Sequence, residues 1–176
     1  FAPTLSVQGT LVDIKGIGVL IEGPPAIGKS EAALALVMRG YSLVADDFVV
    51  LRRHEGQAVL GTSSPATRYH MELRGLGIVH IPSLYGVNAV VEEKRLDLIV
   101  TLRPAGEVPD PPAPSERQVL GVSVPQVTIP VSPGRDLAPI IELAGMNERL
   151  KRLGHDAAKE LDEKLVTAMM ERMSGS

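Results

Sequence analysis

The eight residues Gly23-Pro24-Pro25-Ala26-Ile27-Gly28-Lys29-Ser30 narrow the folds open to this chain more than any other stretch. They spell G-x-x-x-x-G-K-S, a phosphate-binding loop whose proper setting is a strand before it and a helix after it. Both flanks comply. Thr10 to Ile14 and Gly18 to Ile21 are rich in β-branched residues and meet near Lys15-Gly16, so they read as a hairpin feeding the loop. From Lys29 to Arg39 the apolar residues Ala32, Ala33, Leu36 and Val37 recur at helical spacing, and Gly40 supplies a left-handed stop. Backbone N–H groups from Ala26 to Glu31 can converge on one phosphate, Lys29 can reach the β and γ oxygens, and Ser30 can ligate magnesium. Pro24 and Pro25 have no N–H to give, but they precede the amides that are needed. Ala26 is strained if its position demands a positive φ.

Beyond the loop, Leu43 to Ala45 and Phe48 to Leu51 read as strand segments around Asp46-Asp47, and Leu98 to Leu102 as another strand. Five prolines between Pro104 and Pro114 deny the backbone both helix geometry and ladder donors, which predicts a surface loop there. Val122 to Val131 returns to β character, interrupted by Pro125 and Pro130, and Ser132 to Arg135 is turn chemistry. Two helices are expected at the end. One runs from about Leu137 to Leu153 and stops at Gly154; the other starts on Asp156 as N-cap and carries Leu161, Leu165 and Met169 four residues apart. The expected fold is an α/β P-loop architecture, with a mixed, largely buried sheet flanked by helices. All 176 residues fit one domain, and the opening on Phe1-Ala2-Pro3 leaves room for an upstream domain.

Composition removes other classes. With no cysteine there is no disulfide framework, thiolate zinc site or cysteine nucleophile, which suits the cytoplasm. The net charge of −3 leaves no broad basic field for nucleic acid, and the apolar runs are too short for a membrane span. His54, His80 and His155 show no metal-ligand spacing, and His70 reads as a structural or surface residue, so no metal beyond magnesium is expected.

A phosphate loop alone names no reaction. In the Asp46-Asp47 pair, one carboxylate near the γ-phosphate can take a hydroxyl proton while the other holds metal-bound water or a backbone amide. Extended-strand geometry would turn the two side chains opposite ways, so that only one faces the phosphates unless the strand ends there.

At this point the sequence resembles the HPr kinase/phosphorylase family. The resemblance lies in Gly18 to Ile21 entering the loop, Gly28 to Glu31, Arg39-Gly40 and Leu43 to Asp47. It continues in Glu72 to Ile78, in Ile129 to Asp136 and in Ala144 to Asn147. It implies a catalytic domain that phosphorylates a serine of the phosphocarrier HPr from ATP or pyrophosphate, and that removes this phosphate by phosphorolysis. Carried over by position, Asp47 is the base that becomes the acid in reverse, Lys29 steadies the transferred group, and Ser30 and Glu72 accompany Mg2+. Arg74 stands nearby as a structural or phosphate charge. The segment Ile129, Pro130, Val131, Ser132, Pro133 and Gly134 resembles the family's dephosphorylation loop, and a hexamer is implied by analogy.

Three departures bear on this expectation. Gln8 stands where the family commonly has a histidine, and it cannot shuttle a proton. Arg103 and Arg117 are imperfect counterparts of an arginine expected after the Leu98 to Leu102 strand. Ser132 replaces a usual basic residue, which weakens the expectation of phosphorolysis. A P-loop kinase of another substrate and a nucleotide-sensing module that has lost transfer are the alternatives.

Overall fold

A computed structural model describes residues 3–109 and 115–175. Along the chain come β1 (Thr4–Gln8), β2 (Thr10–Ile14), β3 (Ile17–Glu22), α1 (Lys29–Met38), β4 (Ser42–Ala45) and β5 (Phe48–His54). They are followed by β6 (Ala58–Thr62), β7 (His70–Leu73), β8 (Gly77–His80), α2 (Ile81–Tyr85) and β9 (Glu93–Arg95). The chain continues through β10 (Leu98–Pro104), β11 (Ser115–Val119), β12 (Val122–Val131), α3 (Ala138–Arg152) and α4 (Ala157–Ser174). Among the described residues no helix is long and apolar enough to cross a membrane.

The main sheet has six strands in the order β11-β12-β10-β3-β2-β4. β10 is parallel to β3 and β12, while β2 is antiparallel to both β3 and β4. Hence β3, β4, β10 and β12 all point one way, and their carboxyl ends share one edge of the sheet. The phosphate loop follows β3, the Asp46-Asp47 pair follows β4 and the Ser132 turn follows β12, while Arg103 is the penultimate residue of β10. Open α/β sheets gather their ligands at this edge.

Alternation along the central strands builds two cores. Val12, Val19, Ile21 and Val100 face Leu36 of α1 and Ile141 of α3. Leu11, Leu20 and Ile99 face the other way, toward Val49, Leu51 and Val59 of a second, antiparallel sheet ordered β1-β5-β6-β9. The two sheets approach so closely at Gly61 that an added Cβ would lie 2.5 Å from Leu11 Cδ2. A separate hairpin, β7–β8, pairs Leu73 with Gly77.

Pro125 and Pro130 do not break β12, which runs unbroken through both. Pro125 pairs only with Glu116 of β11, and Pro130 only with Arg103 of β10. Successive residues of a strand aim their amides at opposite neighbours, and 125 and 130 differ in parity. Each proline can therefore turn its donor-less nitrogen to the side that has no partner at that level.

The loop expected over Pro104 to Pro114 starts at the end of β10 with a short turn over Ala105–Glu107, and residues 110–114 lie outside the described ones. α3 buries Gly145 against Ile14, where a Cβ would meet Ile14 Cγ2 at 3.2 Å. Gly154 follows α3 with φ 92°, and the Asp156 carboxylate accepts from the Lys159 N–H, so both predicted helix boundaries are present. α4 differs from the core helices in that none of its residues is buried.

Candidate active site

The loop and the start of α1 are held by their own backbone and by a folded-back lysine. Gly28 has φ 111° and Ala26 has φ 67°, so the strain anticipated at Ala26 is present. Lys29 Nζ donates to the Gly23 and Pro24 carbonyls at 2.8 and 3.1 Å, which keeps the ammonium over the loop.

Asp46 and Asp47 follow β4 in a turn rather than within a strand, and Asp47 takes φ 70°. That turn changes the expected geometry. Both residues line the same cleft, and they divide their contacts. Asp46 is held inward: Ser30 Oγ donates to its two oxygens at 3.0 and 3.1 Å, and Thr10 Oγ1 donates to Oδ1 at 2.7 Å. Burial pushes the Asp46 carboxyl above its ordinary range, against the lowering effect of those two hydrogen bonds, and the nearby Asp47 charge adds to the rise. Asp47 is exposed in the cleft, and among the described residues no ion pair or side-chain hydrogen bond holds its carboxylate.

The β7–β8 hairpin closes the other wall. Arg74 Nη2 donates to the Ala26 carbonyl at 2.9 Å, docking the hairpin on the phosphate loop, and its Nε lies 3.8 Å from Glu31. Glu72, Arg74, Gly75 and Gly77 thereby join Gln8, Pro25, Ala26, Gly28, Lys29 and Ser30 around a cleft of about 480 Å³. His70 stays outside it, with Nδ1 2.9 Å from the Arg68 carbonyl and its ring beside His80.

The predicted late loop divides. Ile129 is buried in the core and, with Pro130 and Val131, belongs to β12. Val131, Ser132, Pro133 and Gly134 line a smaller hollow of about 260 Å³ on the other flank of Gly28 and Glu31. They adjoin the phosphate loop without sharing the cleft that holds Asp47 and Glu72.

Neither candidate arginine lines that cleft. Arg103 borders a third hollow with Gln8, Gly23 and Pro24. Arg117 is committed to Glu22, the residue before the loop: Nη1 donates to Oε2 at 2.8 Å and Nη2 donates to Oε1. Thr101 also donates to Glu22 Oε1 at 2.7 Å, and Gln126 donates to Thr101. Burial alone would raise the Glu22 carboxyl, but the Arg117 and Thr101 hydrogen bonds and the Arg117 and Arg103 charges hold it below its ordinary value. Sequence reading passed over Glu22 and Thr10. Glu22 is adjacent to a recognised motif, whereas no local pattern marks Thr10, since its partner is 36 residues away.

The donor set suits magnesium. The Ser30 hydroxyl and the carboxylates of Asp46, Asp47 and Glu72 offer hard oxygens in one cleft. Among the described residues no cluster of three or more His, Asp or Glu encloses a cation. Magnesium keeps several waters and takes one or two carboxylates plus substrate phosphates, so a sparse set fits it better than an all-protein cage.

Comparison with known proteins gives concordant results. The family profile described as HPr Serine kinase C-terminal domain matches residues 1–165. The HPr kinase/phosphorylase of Geobacillus thermodenitrificans is 43% identical over 178 residues, covering 97% of this chain and 56% of the relative. That of Halalkalibacterium halodurans is 48% identical over 168 residues, covering 93% and 54%. The chain thus spans about half the length of the curated relatives it matches. Among solved structures, the Hpr(Ser) kinase/phosphatase from Coxiella burnetii matches with TM-score 0.81 and 34% identity, over 89% of this chain and 98% of that one.

Proposed function

The chain belongs to the HPr serine kinase C-terminal domain family, and from that premise we propose that it transfers the γ-phosphoryl group of ATP to a serine of an HPr-like phosphocarrier. The observation that carries the reading is the position of Asp47, an exposed carboxylate without a protein partner among the described residues, in the same cleft as the phosphate loop and Glu72. Asp47 accepts the serine hydroxyl proton as the oxygen attacks the γ-phosphorus, and ADP leaves along the loop. Lys29 and the amides from Ala26 to Glu31 hold the β and γ oxygens in line for that attack. Ser30 and Glu72, with Asp46 behind Ser30, would hold Mg2+, which when bound neutralises charge on the transferring phosphates. In reverse, Asp47 returns its proton to the serine oxygen while inorganic phosphate takes the phosphoryl group and yields pyrophosphate. Gln8 in the cleft and Ser132 in the neighbouring hollow supply neither a proton nor a cation, so the forward reaction is the stronger of the two.

The reading places the reaction in the cytoplasm with HPr and treats residues 1–176 as one catalytic unit. It includes a hexamer by resemblance, and the solvent-facing Leu161, Leu165 and Met169 of α4 suit contact with another subunit. The test is transfer from labelled ATP with magnesium to HPr and to HPr lacking its acceptor serine, with Asp47→Asn as control. Serine-dependent label that vanishes in the variant supports the reading. ATP binding without transfer would favour a nucleotide-sensing module, for which Gln8 and the placement of Arg103 and Arg117 outside the cleft are the motivation.

A further inference from the structure

Gln8, Gly9 and Thr10 carry the chain from β1 of the antiparallel sheet into β2 of the six-stranded one. Because β2 is antiparallel to β3 and β4, its first residue lies at the edge where β3 enters the phosphate loop and β4 runs into Asp46. Two contacts follow. The Gly9 N–H donates to the Asp47 carbonyl at 2.9 Å, fastening a residue held at φ 70°. Thr10, a residue only 1% exposed, donates from its hydroxyl to Asp46 Oδ1 at 2.7 Å, and the same carboxylate accepts from Ser30.

A serine hydroxyl has one proton to donate and two lone pairs. When Ser30 directs its proton to Asp46, its lone pairs are left to face the cleft, the orientation a cation requires. A carboxylate free to rotate would release that proton, and a hydroxyl hydrogen aimed into the cleft repels a cation. Asp46 is fixed from behind by Thr10, on a strand that contributes nothing to the phosphate loop itself.

We propose that Thr10 is a positioning residue for divalent-cation binding, acting through Asp46 to orient the Ser30 hydroxyl. The proposal rests on the reading of the cleft as a magnesium–nucleotide site. Thr10→Val keeps the side-chain shape and removes the donor, Thr10→Ser keeps the donor, and Thr10→Cys keeps a weak one.

The experiment is calorimetric titration of the protein and these variants with ATP, once in EDTA and once in excess magnesium, with thermal unfolding to confirm that each is folded. In Thr10→Val the magnesium-dependent gain in ATP affinity falls about tenfold, equivalent to about 1.4 kcal/mol, while metal-free ATP binding stays within about twofold of wild type. Thr10→Ser restores the gain, and Thr10→Cys lies between, which serves if the valine variant does not fold. A full magnesium gain in Thr10→Val overturns the proposal. So does an equal loss with and without magnesium, which would assign Thr10 to packing alone, and so does failure of Thr10→Ser to restore the gain. Wild-type protein that binds ATP no better with magnesium, or not at all, would instead remove the reading of the cleft.

Discussion

Replacing Arg117 by methionine keeps most of the side-chain stem and removes the guanidinium from Glu22, directly beneath the phosphate loop. A hydrogen bond to a charged group contributes about 1.5–3 kcal/mol when sheltered. Glu22 is 20% exposed but Arg117 is 39% exposed, so solvent screening brings the expected loss at pH 7 to about 1–2 kcal/mol. Thr101 still donates to Glu22 in the variant, which keeps the cost from rising further. The sign with pH follows from the direction of the Glu22 shift. Its folded-state value is held below the ordinary 4.5, so its contribution is present above the unfolded value and disappears as pH falls through the folded one. The assay is urea unfolding of wild type, Arg117→Met, Glu22→Gln and the double variant at pH 7, repeated at the lowest pH where wild type stays folded. A coupling of about 1 kcal/mol or more at pH 7 that shrinks in acid is expected. Additive single effects at pH 7, or a coupling that grows in acid, would refute the reasoning.

Three other perturbations probe the frame that holds the site. Ala26→Val forces a β-branched residue to φ 67° and is expected to destabilise by about 1–2 kcal/mol, while Ala26→Gly stays close to wild type; chemical unfolding of both variants checks this. Gly61→Ala drives a methyl toward Leu11 between the two sheets, and overpacking of about 1–3 kcal/mol should appear as a lower unfolding midpoint. Asp156→Ala removes the acceptor of the Lys159 N–H and should cost the end of α4 about 0.5–2 kcal/mol, read as faster amide exchange over its first turn. Unchanged exchange there would show that the cap is idle.

Much of the frame was legible because it is local. The hairpin before the loop, the helix after it, the Gly40 and Gly154 stops and the Asp156 cap each depend on residues a few positions apart. The setting of the G-x-x-x-x-G-K-S loop, between β3 and α1, was readable for the same reason. The short strands β1, β6, β9 and β11 were not, since three to five residues with mixed polarity carry little periodic signal. Reading Val122 to Val131 as interrupted by its prolines was reasonable locally and too cautious, because only the pairing pattern tells which nitrogens need a partner.

The sequence by itself therefore determined that a phosphate loop sits between a strand and a helix, that two carboxylates follow a later strand, and which family the whole pattern resembles. Tertiary structure decided how those parts divide the work. Asp46 turned inward and Asp47 outward because the chain leaves one sheet for the other between β4 and β5, which requires a left-handed turn at Asp47. Arg117 went to Glu22 and Thr10 to Asp46 because the strand order brings residues 95 and 36 positions apart into hydrogen-bond range. Spacing along a chain encodes contacts within an element, whereas a side chain's partner across a sheet depends on which strands become neighbours, and that is settled when the two cores close.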